Sequence, residues 1–247
     1  MPIIFKVSGR STEVPSTPSS GFTTSLSVRY PFTSDAQDSV TGDSGTVTGG
    51  TGTFGSDGYA SGGSRYIAMP TSFSEAMFWN TGDGTLSWWQ TMTGANSGSR
   101  YFLNDREGNT SHVAGELSLG FSGSKFSLIR GGSSSWQLPI SVNASSTPSS
   151  GKMLRSGDGT TQEHIVLVKN SSDNTLKFYI NGSLVRTESF SDTFGNNDTN
   201  IWRLGNLLST SSYVYDAKIA DLAVWNGRAL SADDVSDLYD LGQGGSY

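Results

Sequence analysis

An all-β sandwich of two antiparallel sheets, preceded by an extended arm and closed by a short helix, is the fold class predicted by three observations. Short segments rich in β-branched and aromatic residues recur from Leu26 onward, with turn residues between them. Charged residues make up only 15% of the chain against 31 glycines, so brief strands must supply most of the apolar burial. Before residue 231 no long helical period interrupts the series. At 247 residues the chain suffices for one large domain with a sizeable core.

Residues 1–22 read as an arm, because one short apolar run, IIFKV at 3–7, is followed by a Pro-, Gly- and Ser/Thr-rich stretch. Two fates are open to that run: pairing back onto its own sandwich, or adding to a neighbour's sheet edge as a tether. The sandwich is expected over 23–247. The hexapeptide STPSSG occurs at 16–21 and again at 146–151, but its flanks differ, so it marks two turn regions and no duplicated domain.

Strands are expected in SLSVRYPF, SRYIAMP, GTLSWWQTM, SRYFLN, HVAGELSLGF, KFSLIR, EHIVLVKN, TLKFYI, SLVRTESF, NIWRLG and SYVYDAKIADLAVW. Along LKFYINGSLV, Leu176, Phe178 and Ile180 share one face while Lys177 and Tyr179 share the other. Asn181-Gly182 supplies the two positive-φ positions of a type I′ turn, so this stretch is a hairpin. At the end of the chain Ser231 caps a helix with Asp234 as its capping-box partner. Leu230 and Val235 form a staple, Val235, Leu238 and Tyr239 make the apolar stripe, and Gly242 is the stop.

The formal net charge of −6 excludes a phosphate-backbone binder, and the lack of cysteine excludes disulfides and thiolate metal sites. No apolar run approaches a membrane span, and the N-terminus lacks the apolar core of a secretory signal. Five Asn-x-Ser/Thr sites are little more than this composition gives by chance, and Asn181 is accounted for by its turn.

Taken in order, SVRYPFTSDAQDSV (27–40), SRYIAMP (64–70), GTLSWWQTM (84–92), the 176–185 hairpin and IADLAVWNGRALSADDVSDLY (219–239) resemble the laminin-G-like, concanavalin A-type lectin/glucanase superfamily. The resemblance covers about residues 25–241 and implies a concanavalin A-like jelly roll. Two departures stand out: Gly227 interrupts the usual Asn-Arg-Ala-Leu run, and Ala220 replaces the first acid of a closing pair, leaving Asp221. The resemblance further implies a structural Ca²⁺ at the sandwich rim, with Asp38 and Asp221 at the matching positions.

Glucanases share the implied sandwich, so a catalytic acid pair is the next question. A retaining glycosidase needs two carboxylates about 5–5.5 Å apart, which on one strand means acids two or four positions apart. No strand offers that spacing; Asp105 and Glu107 come nearest, in a turn-like stretch. His112 and His164 have no acidic neighbour at triad spacing, and no nucleophile elbow is present. A non-catalytic role is therefore expected.

Aromatic residues are the expected sugar contacts, since a flat ring offers rigid area at small entropic cost. Trp89, Tyr101, Trp136, Tyr213 and Tyr215 are the candidates. Trp88 and Trp89 must point to opposite faces, so Trp89 is either a sugar platform or a covered ring; the family's Trp at this position favours covering. The resulting expectation is a lectin-like surface module on the exterior of a larger assembly such as a phage virion. There its arm contacts a capsid or other assembly protein, glycans are its ligands, and a homo-oligomer stays open. The alternatives are a free or secreted extracellular lectin and, behind it, a glycoside hydrolase.

Overall fold

The computed structural model describes residues 22, 24–50, 52–78, 82–96, 98–105, 116–131, 136–157, 159–190, 201–207 and 213–245. In chain order the strands are β1 (Leu26–Tyr30), β2 (Thr46–Thr48), β3 (Thr53–Gly55), β4 (Gly58–Ala60), β5 (Tyr66–Ala68), β6 (Gly84–Met92), β7 (Arg100–Asn104) and β8 (Leu117–Ser122). They continue with β9 (Lys125–Gly131), β10 (Trp136–Ser145), β11 (Met153–Leu154), β12 (Gln162–Asn170), β13 (Thr175–Ile180), β14 (Ser183–Ser189), β15 (Arg203–Leu204) and β16 (Ala217–Asn226). Helix α1 (Thr71–Ala76) follows β5, and α2 (Ala232–Leu241) follows β16.

Two sheets result. The first runs β14-β13-β12-β6-β16-β4-β3, with β1 also on β16; the second runs β11-β10-β9-β8-β7-β15-β5-β2. Pairing is antiparallel except where Ala144 and Ser145 of β10 lie parallel to Met153 and Leu154 of β11, a two-residue departure from the all-antiparallel expectation. Between the sheets Leu86, Trp88, Leu167, Phe178, Phe102 and Phe126 meet in one core, where the Trp88 ring stacks on Phe102 with centroids 4.3 Å apart.

The outer face of the first sheet carries a second apolar layer. Val166, Val168, Tyr179 and Trp225 pack there under Leu230, just before α2, and Val235 and Leu238 of α2. This explains why Tyr179, on the polar side of the hairpin, is buried. The helix starts as expected: Ser231 accepts from the Asp234 N–H at 3.1 Å, and the Asp234 carboxylate returns a bond to the Ser231 N–H at 3.0 Å. Phe22, assigned to the end of the arm, belongs to this layer, and its carbonyl accepts from the Trp225 indole at 2.6 Å. The rest of the arm lies outside the described residues.

One irregularity sets the rim. In β16, Ala217 and Ile219 face the core, but further along it is Leu222 and Val224 that do so. The change of phase occurs at a bulge between Ala220 and Ala223, where Asp221 takes a φ of 46°. A bulge inserts one residue and turns every later side chain to the other face. Past the strand, Gly227, which stands between Asn226 and Arg228 and so interrupts the family run, adopts a φ of 81° in the turn toward α2, a conformation glycine takes without strain.

Candidate functional site

The Asn181-Gly182 turn, with φ values of 50° and 73°, folds β14 back beside β13 at the edge of the first sheet. The 148–151 turn, which includes most of the second STPSSG copy, stands opposite at the end of the second sheet. Between them lies a cavity of about 700 Å³, walled by Ser149, Ser150 and Lys152 on one side and Ser183, Leu184 and Val185 on the other. A smaller hollow of about 240 Å³ shares Gly151 and Val185 with it and is lined by Lys125, Asn143 and Arg186. The two form one groove along the sandwich edge.

Glu163 is the acid of this groove. The period of two along β12 puts it on the core face with Ile165 and Leu167, one step beyond the apolar row. Its carboxylate accepts from the Leu154 N–H at 2.9 Å and from Gln90 Nε2 at 2.9 Å. Gln90 Oε1 in turn accepts from the Tyr215 hydroxyl at 2.6 Å and from the Trp88 indole at 3.0 Å. Burial pushes the Glu163 carboxyl above its usual range, an effect the hydrogen bonds from Gln90 and Leu154 oppose. The groove thus combines hydroxyls, an amide and a hydrogen-bonded carboxyl with an apolar strip at Leu184, which is 51% exposed. Such a lining suits a ligand with many hydroxyls and some C–H surface.

Four of the five aromatic candidates are placed elsewhere. Trp89 lies under α2, 6% exposed, its ring stacked on His164 at 4.8 Å and on Tyr239 at 5.8 Å. It is a covered ring, with a helix as the cover. Tyr215 is fully buried in the core against Phe102 and Phe121, so its ring has no free face. Tyr101 and Tyr213 do come together, 5.7 Å apart, beside Ile129 and Leu207 on the outer face of the second sheet. The side chain of Trp136 lies outside the described residues; its backbone pairs with Gly131.

Asp38 and Asp221 are also brought together, around Arg29. Asp38 accepts from the Arg29 N–H at 2.7 Å and from the N–H groups of Val40 and Thr41, each at 3.0 Å, as well as from the Thr41 hydroxyl. Asp221 accepts from Arg29 Nη2 at 2.8 Å and from the Gly244 N–H, while Arg29 Nη2 also reaches the Gly245 carbonyl at 2.9 Å. Calcium needs six to eight oxygens with free lone pairs, and this set offers carboxylates already engaged and a guanidinium among them. The residues do not fit the ion that the family resemblance implied. No group of three or more His, Cys, Asp or Glu side chains suited to a metal exists among the described residues.

An acid pair invisible along any one strand is created by the β7–β8 pairing. Asp105 bonds the Leu117 N–H, which sets it beside Glu116, and both are buried. Burial foremost, then repulsion from Glu116, raises the Asp105 carboxyl to about 7. Glu107 and His112 lie outside the described residues. The buried His164, whose Nε2 shares a 2.8 Å hydrogen bond with Ser87, is lowered to about 3 by burial.

The profile of the concanavalin A-like lectin/glucanases superfamily matches residues 61–236. The chain belongs to this superfamily. Among solved structures, the superfamily domain is similar to domain 4 of an extracellular arabinanase from Geobacillus stearothermophilus, solved with arabinotriose. The TM-score is 0.60 at 20% identity, covering 87% of this chain and 98% of that one. It is also similar to botulinum neurotoxin type C, whose cell entry depends on interaction with two ganglioside molecules, with a TM-score of 0.62 at 15% identity. A binding domain of serotype D gives 0.60 at 14%. In both neurotoxin comparisons 87% of this chain is covered, spanning about half of the other. Comparison with curated proteins gave no match.

Proposed function

We propose that the protein is a non-catalytic, lectin-like module that binds glycans and is carried on the outside of a larger assembly. The observation that carries this reading is the edge groove, where one hydrogen-bonded carboxyl sits among hydroxyls and an exposed leucine. One acid can hold a sugar hydroxyl, whereas hydrolysis calls for two. The arabinotriose complex and the ganglioside-dependent toxin support a saccharide ligand. A phage virion is the assembly we favour, with the Ser/Thr/Pro-rich residues 1–21 as its tether to a capsid protein.

A glycan array tests the first half of this reading: hits that weaken with Leu184→Ala support it, and a blank array refutes it. Deleting residues 1–21 tests the second half. Attachment to the native particle is then lost while the sandwich stays folded; a truncated protein that still attaches overturns the tether.

The Asp105–Glu116 pair favours glycoside hydrolysis as a second reading, because a carboxyl near 7 is poised as a general acid. Against it, Asp105 and Glu116 are at most 1% exposed, and a catalytic acid must touch the glycosidic oxygen. Release of reducing sugar from a polysaccharide panel, abolished by Asp105→Asn, would establish this reading in place of the first.

A further inference from the structure

The edge groove differs in charge from the molecule that bears it. The chain has a formal net charge of −6, yet its groove is lined by Lys125, Lys152 and Arg186 against the single acid Glu163. Arg186 is already paired with Glu188 on the same strand. Lys125 and Lys152 form no ion pair among the described residues, and both are exposed. Lys152 lines the larger hollow and Lys125 the smaller, and the two hollows share Gly151 and Val185, so positive charge is offered on each side of the junction. The larger hollow beyond it has the hydroxyls of Ser149 and Ser183 and the Leu184 surface, which suit an uncharged ring.

We propose that the groove selects an acidic saccharide, a chain whose uncharged ring lies over Leu184 while a carboxylate or sulfate on the next ring meets Lys125 and Lys152. This rests on the reading of the groove as a glycan site and adds the class of glycan. An ammonium–anion hydrogen bond in a partly enclosed hollow adds affinity that a neutral sugar forgoes. The attraction weakens as salt shortens the screening length.

The test uses the full-length protein and an array of uronate-containing and sulfated oligosaccharides, each printed beside its carboxyl-reduced or desulfated counterpart. Acidic members are expected to bind about tenfold more tightly or better than their partners. Uronate hits alone, or sulfate hits alone, identify which anion the junction takes. Lys125→Ala with Lys152→Ala is expected to remove the preference, the acidic members falling to the level of their neutral partners. Leu184→Ala, by contrast, lowers both arms together. Circular dichroism confirms that the variants stay folded, as expected for exposed lysines. Equal binding to acidic and neutral partners overturns the charge selection and leaves the glycan site standing; no binding to either overturns the glycan site and this inference with it.

Discussion

The rim around Asp221 and the groove above Glu163 both place a carboxylate at the end of an apolar strand row, yet their chemistry diverges. At the rim, Arg29 supplies the counter-charge and backbone N–H groups take up the remaining lone pairs, so the carboxylates face only protein. In the groove, Glu163 is held by neutral donors and borders a cavity. The Asp221 carboxylate has its charge balanced by a guanidinium inside the protein, whereas Glu163 has only neutral amide donors where it meets the cavity. The partner decides the role more than the acid does.

Removing Arg29 breaks that comparison most severely. Arg29→Ala leaves Asp221, 1% exposed, without its cation, and loss of one member of a buried pair costs about 3–5 kcal/mol. For a chain of this size that lowers Tm by on the order of 10 °C. Thermal unfolding monitored by circular dichroism measures it. In the native protein neither millimolar calcium nor EDTA is expected to shift Tm, because the guanidinium already provides the positive charge. Stabilisation by calcium would show that the rim is open after all.

Asp105 offers a third setting, burial beside another acid. In the fold it titrates at about 7 against an ordinary 3.8, so the folded state keeps a proton that the unfolded chain has released between those values. Its contribution is complete below about 3.8 and is lost as pH rises through 7. His164 acts in the opposite sense: lowered from 6.5 to about 3, its contribution is lost as pH falls through that interval. Asp105→Asn removes the first effect alone. Urea unfolding should show the variant gaining on the native protein by a few kcal/mol, at most about 4, between pH 4 and pH 7.5. A difference that stays constant with pH would mean that Asp105 is not buried as an acid.

Much of this architecture was legible in the chain because it rests on local rules. The hairpin at Asn181-Gly182 and the capping box at Ser231 are each determined within a few residues, and both form as expected. Other elements fell outside those rules. Strand β10 contains Pro139, which breaks the alternation and sits at the register shift between Gln137 and Ile140. Helix α1 spans only six residues, too few for a period, and is held by Phe73 packing on Tyr30 and Trp202. The edge strands β2 and β3, and β4 beside β3, are three residues each. The site was harder still to read. Aromatic content drew attention to Trp89 and Tyr215, which serve as packing, whereas Glu163 carried a usable signal as a carboxylate at a core-parity position. The Asp105–Glu116 contact arises from pairing across a hairpin, and spacing along one strand cannot reveal it.

The smallest expected effect tests whether α2 supports the rim. Ser231→Ala removes the cap that bonds Asp234, at a cost of about 1 kcal/mol and a fall in Tm of roughly 2–4 °C. The helix leads directly to Gly244 and Gly245, which bond Asp221 and Arg29, so cap and rim share one C-terminal tail. Residues joined through a common partner depart from additivity. Combined with Arg29→Ala, the cap substitution is therefore expected to cost less than it does alone, because the tail has already lost its anchor. Strict additivity of the two Tm shifts would mean that helix and rim are independent, and that Arg29 and the strand backbone close the rim without help from the tail.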